Sequence, residues 1–173
     1  MIQQFLPNGN LTPGIHTYNL SEFEQQFVYD FSTSVRRSVI YHNFKQWIEQ
    51  LLEVLTPRYI WLDGSFLTQK VDPNDIDLVV FYYPEDIQSG EQATTLKNLI
   101  QSVSRRYDCD AYFCLSFEHW DPQQLAAFPE QNIKIMQTYW MGQFSFDRSR
   151  NPKGMVQIEQ QELLSLMAGG VKR

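Results

Sequence analysis

The stretch "WLDGSFLTQKVDPNDIDLVVFYY", residues 61–83, constrains this chain more than any other. Its second half is apolar without interruption from Leu78 to Tyr83, and such a run suits a strand covered on both faces of a sheet rather than one with a wet side. The strand nevertheless opens with two carboxylates, Asp75 and Asp77. Side chains alternate along a strand, so both project from one face, about 7 Å apart. Two such charges repel, and burying them unpaired costs several kcal/mol. Backbone N–H groups in a turn, an Arg or Lys partner, or a metal ion would each relieve them.

The rest of the chain supplies layers for that sheet. Residues 1–20, with Pro7, Gly9, Pro13 and Gly14, read as an extended, turn-rich arm. Ser21 followed by Glu24 predicts a capping box opening a first helix. "SVRRSVIYHNFKQWIEQLLEVL" has helical periodicity through Val35, Val39, Phe44, Trp47, Ile48, Leu51, Leu52 and Leu55, and Pro57 ends it. "RYIWLD" predicts a short strand, and a helix is expected after Gly90. "YDCDAYFCLSF" predicts a third strand, "DPQQLAAFPEQNIKIMQTYWMGQF" one or two short helices, and "FDRSRNPKGMVQIE" a polar loop leading to a last strand. "QQELLSLMA" then forms a short helix before a frayed "GGVKR" tail. We find no repeat or linker, and 173 residues suit one domain. The expected fold class is α/β (α+β): a mixed sheet with N-terminal helices and a small helical C-terminal extension. Its boundaries are an arm and helices over 1–57, a core over about 58–116 and the extension over 117–173.

Composition excludes several function classes. The net charge of −6 argues against a broad basic surface for long nucleic acid. Cys109 and Cys114 lie five apart in a strand-like run and match no zinc or redox spacing, so they are expected on opposite faces as reduced core thiols of a cytoplasmic protein. No window approaches the ~18 apolar residues of a membrane span, and the start lacks a signal peptide's pattern.

The surroundings of the aspartate pair point to chemistry. Gly64 permits a close backbone approach after the "YIWLD" strand. Ser65 is placed to cap a helix starting at Phe66, whose N-terminus would receive phosphate. Carboxylates that hold Mg²⁺ beside a phosphate-binding turn meet the needs of in-line phosphoryl displacement. A third carboxylate is expected on the "YDCDAYFCL" strand: Asp110, inside it, is favoured over Asp108, which borders the preceding loop. A calcium-loop reading of "DPNDID" fails, lacking the Gly at its sixth position and the Glu at its twelfth.

Read together, "GSFLTQKVDPNDIDLVV" and "CDAYF" resemble the DNA polymerase β-type nucleotidyltransferase superfamily, over residues 58–116. The resemblance implies that Gly64 and Ser65 hold a triphosphate. It implies that Asp75 and Asp77 bind Mg²⁺, and that Asp110 completes the metal site and helps deprotonate an acceptor hydroxyl. It further implies transfer of a nucleoside monophosphate from an NTP, ATP first, to a protein or RNA. The setting would be a toxin–antitoxin or phage-defence pair. A catalytically silent antitoxin or nucleotide sensor of the same fold is the alternative.

Secondary candidates divide. Lys70 is placed to touch a phosphate or to be a solvated loop lysine. Arg148, Arg150 and Lys153 either close over a triphosphate or acidic partner or form an ordinary surface loop. Arg36 and Arg37 are expected on a solvated helix face, and Arg105 and Arg106 at a helix end. The three histidines, His16, His42 and His119, show no ligand spacing, and the four tryptophans are expected in the core.

Overall fold

In a computed structural model, described over residues 3–169, the chain folds around one mixed five-stranded sheet. Its strands are β1 (Gly14–Thr17), β2 (Tyr59–Asp63), β3 (Ile76–Tyr82), β4 (Cys109–Leu115) and β5 (Gly154–Glu159), in the order β1-β5-β2-β3-β4. β1 runs parallel to β5 and β3 to β4, whereas β2 is antiparallel to both β3 and β5. The β2–β3 link joins an antiparallel pair without a long helix, and the β3–β4 crossover carries helix α3 (Gly90–Asn98), as a parallel connection needs.

Alternation along β3 sorts its residues onto two faces. Ile76, Leu78, Val80 and Tyr82 enter the larger core, with Phe44, Trp47, Ile48 and Leu51 of helix α2 (Arg37–Val54). Val79 and Phe81 enter a smaller core with Tyr59, Trp61 and Met155, closed by Phe144 of helix α6 (Met136–Phe144). Cys109 belongs to the first core and Cys114 to the second, both as free thiols, on opposite faces as expected. The fold is therefore α+β with a mixed sheet covered on both sides.

Several boundaries differ from expectation. The N-terminal arm contributes β1, because Gly14–Thr17 pairs in register with Gly154–Gln157 on what would otherwise be the exposed edge of β5. Helix α1 (Leu20–Glu24) is capped by Asn19 rather than Ser21, with Glu22 completing the box. Asn19 is an equally good side-chain acceptor two residues earlier. Helix α2 starts at Arg37, after Ser34 Oγ accepts from the Arg36 and Arg37 N–H groups. Val35 and Val39 therefore stay outside the core, at 75% and 48% exposure. Three helices, α4 (Pro122–Ala127), α5 (Gln131–Lys134) and α6, replace the one or two expected before β5. The last helix, α7, spans Gln160–Gly169, and the remainder of the expected frayed tail lies outside the described residues.

The largest correction concerns Arg37. It is wholly buried rather than solvated, with Phe31 stacked 3.6 Å from its guanidinium carbon. Helical periodicity alone hid this, since a guanidinium can be buried when carbonyls satisfy all its N–H groups. No described helix is long and apolar enough to cross a membrane.

Candidate functional site

Three aspartates stand side by side across adjacent strands. Asp77 of β3 is in register with Asp63 at the end of β2 and with Asp110 of β4. Residues opposite one another in a sheet share a face. This face is the one carrying Val79 and Phe81, so the row sits at the open end of the smaller core. Asp75, two residues before Asp77, adds a fourth carboxylate.

The backbone around the row is shaped to admit it. Gly64 has φ +81°, and a Cβ there would stand 1.7 Å from Asp77 Oδ2. The close approach read from the sequence is thus made first by the Asp77 carboxylate. Ser65 opens a single 3₁₀ turn, Ser65–Leu67, whose N-cap is Gly64 with no side-chain cap. The expected longer helix with Ser65 as its cap is therefore absent, because the chain leaves the turn at Thr68 in extended conformation. The first N–H groups of such a turn still lack partners within it.

Gly64, Ser65, Lys70, Asp75, Asp77 and Asp110, read separately from the sequence, all line one cleft of about 700 Å³. Asp63, Tyr112, Trp140, Phe146, Arg148 and Lys153 also line it. The basic cluster divides: Arg148 and Lys153 face the cleft, while Arg150 does not line it and takes a left-handed turn conformation at φ 64°. Asp147 holds that turn by accepting from the Ser149 and Asn151 N–H groups and from the side chains of Asn10 and Asn151. These bonds hold its carboxyl down to about 2.

Asp108 is excluded from the row. It lies before β4 in a left-handed conformation at φ 53°, and its carboxylate accepts from Asn43 and faces Arg36. It lines a smaller neighbouring hollow that touches Asp75 and Asp110.

Burial and crowding set the charges of the row. Burial, with the like charges of Asp75 and Asp110, pushes Asp77 up to about 6, against the pull of Lys153 and Arg148. Burial raises Asp63 to about 7, opposed chiefly by Lys153, whose Nζ lies 2.6 Å from Asp63 Oδ2. Asp63 is 4% exposed, and its other oxygen, Oδ1, is buried without a hydrogen-bond partner. Asp110 accepts a 2.8 Å bond from the Tyr112 hydroxyl, and burial together with that bond pushes Tyr112 up to about 12. Tyr112 in turn packs on Trp140 with ring centroids 4.3 Å apart. Trp140 is thus a cleft-wall residue, whereas Trp47 and Trp61 are core as expected.

The sequence reading missed Asp63, Tyr112 and the Asp63–Lys153 pair. Asp63 directly precedes Gly64 and ends a strand antiparallel to the Asp77 strand. Pairing the two strands across that turn puts the two acids opposite one another. Lys153 is 90 residues from Asp63, and no local signal joins them.

Among the described residues, no three His, Cys, Asp or Glu side chains converge as a ready-made metal-binding group. The donors are nonetheless hard oxygens with mutual repulsion and one orphaned buried oxygen. Mg²⁺ takes only one or two carboxylates beside waters and substrate phosphates, so this donor set fits it. The arrangement defines an α+β protein with an acidic cleft at the mouth of a mixed sheet. The chain belongs to a family of unknown function, DUF6932, whose profile matches residues 3–159. No curated protein and no solved structure matches it.

Proposed function

We propose that the protein is a Mg²⁺-dependent nucleotidyltransferase. It moves a nucleoside monophosphate from an NTP, ATP first, to a hydroxyl on a protein partner or an RNA. The observation that carries this reading is the register Asp63–Asp77–Asp110, with Asp75 beside it and the Gly64–Ser65 turn directly after Asp63.

In this reading Asp75 and Asp77 hold the ion. When bound, it would supply neutralisation of the triphosphate and alignment of the attacking and leaving oxygens. The N–H groups that open the Ser65–Leu67 turn, with Lys70 and Arg148, receive phosphate oxygens. Asp110 takes the proton of the acceptor hydroxyl as that oxygen bonds to the α-phosphorus. The bridging bond from the α-phosphorus breaks, and pyrophosphate leaves with the electron pair. Tyr112 donates to one Asp110 oxygen and so orients the carboxylate, leaving its other oxygen for the acceptor. A protein acceptor ranks above long RNA because a chain of net charge −6 disfavours sequence-independent phosphate contacts.

The test is incubation with Mg²⁺, each α-labelled NTP in turn, and cell extract or a co-encoded partner. Label should appear on a macromolecule, with release of pyrophosphate, and should vanish with Asp75→Asn. A tight complex with a partner and no label under any nucleotide would overturn transfer and leave a silent binding protein.

A further inference from the structure

The Arg37 guanidinium spends every N–H on backbone carbonyls. Nε donates to Val71 O (3.2 Å), Nη1 to Phe27 O (2.8 Å) and Phe66 O (2.7 Å), and Nη2 to Thr68 O (2.8 Å) and Lys70 O (2.6 Å). Five donors meet five acceptors, and four of those acceptors belong to the segment from Phe66 to Val71. That segment follows Gly64 and Ser65 and carries Thr68 and Lys70 along the cleft. Phe31 and Phe66 cover the guanidinium at 3.6 and 5.0 Å, and among the described residues no carboxylate forms an ion pair with it.

A buried cation whose hydrogen bonds all go to carbonyl dipoles is an expensive way to fill space, and an apolar side chain of similar volume often does as well or better. What an apolar side chain cannot do is turn four carbonyls of one loop inward. Across a trans peptide the carbonyl and the following N–H point opposite ways. Carbonyls drawn toward Arg37 therefore turn the following N–H groups away from it, and those of Leu67 and Gln69 meet the Gly64 and Gly9 carbonyls, which fixes the course of the loop. Secondary ties run the same way: Asp72 accepts from the Ser34 hydroxyl and Val35 N–H, and Arg36 donates to Asn74 O. The start of α2 thus grips the whole link between β2 and β3.

We infer that Arg37 is a positioning residue for the Ser65–Val71 loop, fixing from behind the loop whose opening N–H groups and Lys70 side chain receive a polyphosphate chain. The inference rests on the nucleotidyl-transfer reading of the cleft. Arg37 touches no cleft ligand itself and acts through the loop. Metal affinity depends on Asp77 within β3 and on Asp75 directly before it, to neither of which Arg37 bonds, so the two affinities separate.

The experiment measures Mn²⁺ alone and Mg²⁺-tripolyphosphate, by titration calorimetry on folded wild type, Arg37→Lys and Arg37→Met. Lysine has three donors for five acceptors, and methionine has none. Tripolyphosphate affinity should fall by about tenfold in Arg37→Lys and further in Arg37→Met, while the Mn²⁺ affinity of both stays within about twofold of wild type. Unchanged tripolyphosphate binding would overturn the inference. So would Mn²⁺ and tripolyphosphate affinities falling together, the signature of a merely structural residue. A wild type that binds neither probe would defeat the reading of the cleft, and Arg37's role with it, before any variant is made. If the variants do not fold, amide exchange of wild type decides. The Leu67, Thr68 and Gln69 amides, bonded to Gly64, Ser65 and Gly9 carbonyls, should exchange as slowly as the interior of α2. Exchange as fast as that of the Ser149–Asn151 turn would overturn the inference.

Discussion

The two faces of β3 carry opposite instructions. On one, Ile76, Leu78, Val80 and Tyr82 are wholly buried in an apolar layer shared with α2. On the other, Val79 and Phe81 meet a smaller aromatic core that gives way to Asp77 at the strand's open end. A period of two lets one seven-residue strand build the core with one set of side chains and gather like charges with the other. The contrast teaches that the charged end is held in place by the apolar face and contributes little stability of its own. Breaking the first set should unfold the protein; neutralising the second should not.

The largest effect is expected from Leu78→Ala, which removes a fully buried side chain beneath the carboxylate row. It should cost about 2–5 kcal/mol, measured by chemical denaturation. Gly64→Ala comes next. Its positive φ alone strains an alanine by about 1–3 kcal/mol, and the new Cβ must displace the Asp77 carboxylate. It should therefore destabilise the fold and remove Mn²⁺ binding together.

Lys153→Met sharpens the comparison through pH. Without the ammonium, Asp63 is held still further above the ordinary carboxylate range of 3.8. A carboxyl whose folded pKa lies above its unfolded one favours folding at low pH, and that contribution is lost as pH rises through the folded value. Lys153→Met should thus be nearly as stable as wild type at pH 5 and about 1–3 kcal/mol less stable at pH 8. Equal penalties at both pH values would show that Lys153 does not neutralise Asp63.

The wild type should show the same sign more weakly. Asp77 and Asp63 titrate near 6 and 7 when folded. The protein should therefore lose stability between about pH 4 and pH 7 on this account, by an amount that Asp63→Asn with Asp77→Asn removes. Asp147, held to about 2, acts in the opposite sense and only below that window.

Much of this was legible in the residues. The apolar run after Asp77 gave a two-sided strand, and Gly64, Ser65, Lys70, Asp75, Asp77 and Asp110 indeed meet in one cleft. Favouring Asp110 over Asp108 followed from strand position: Asp110 lies within β4, and Asp108 sits in a left-handed turn before it. What escaped depends on pairings distant in sequence. β1 exists only because β5 offers an edge, and Lys153 reaches Asp63 across the sheet. Arg37 looked solvated because its acceptors are carbonyls, which leave no mark in side-chain chemistry. The Ser65 helix was overread, since a Gly at positive φ followed by one 3₁₀ turn has the same opening residues as a longer helix.

The central claim is that the aspartate row is kept for a cation and a nucleotide rather than for the fold. Thermal melting of wild type, Asp75→Asn and Asp77→Asn, with and without Mg²⁺ and ATP, tests it most directly. Removing a repelled carboxylate should leave each variant at or above the wild-type Tm without ligand. Wild type should then gain stability with Mg²⁺ and ATP by binding linkage, and neither variant should gain it. Variants melting far below wild type without ligand, or a wild type indifferent to Mg²⁺ and ATP, would contradict the account.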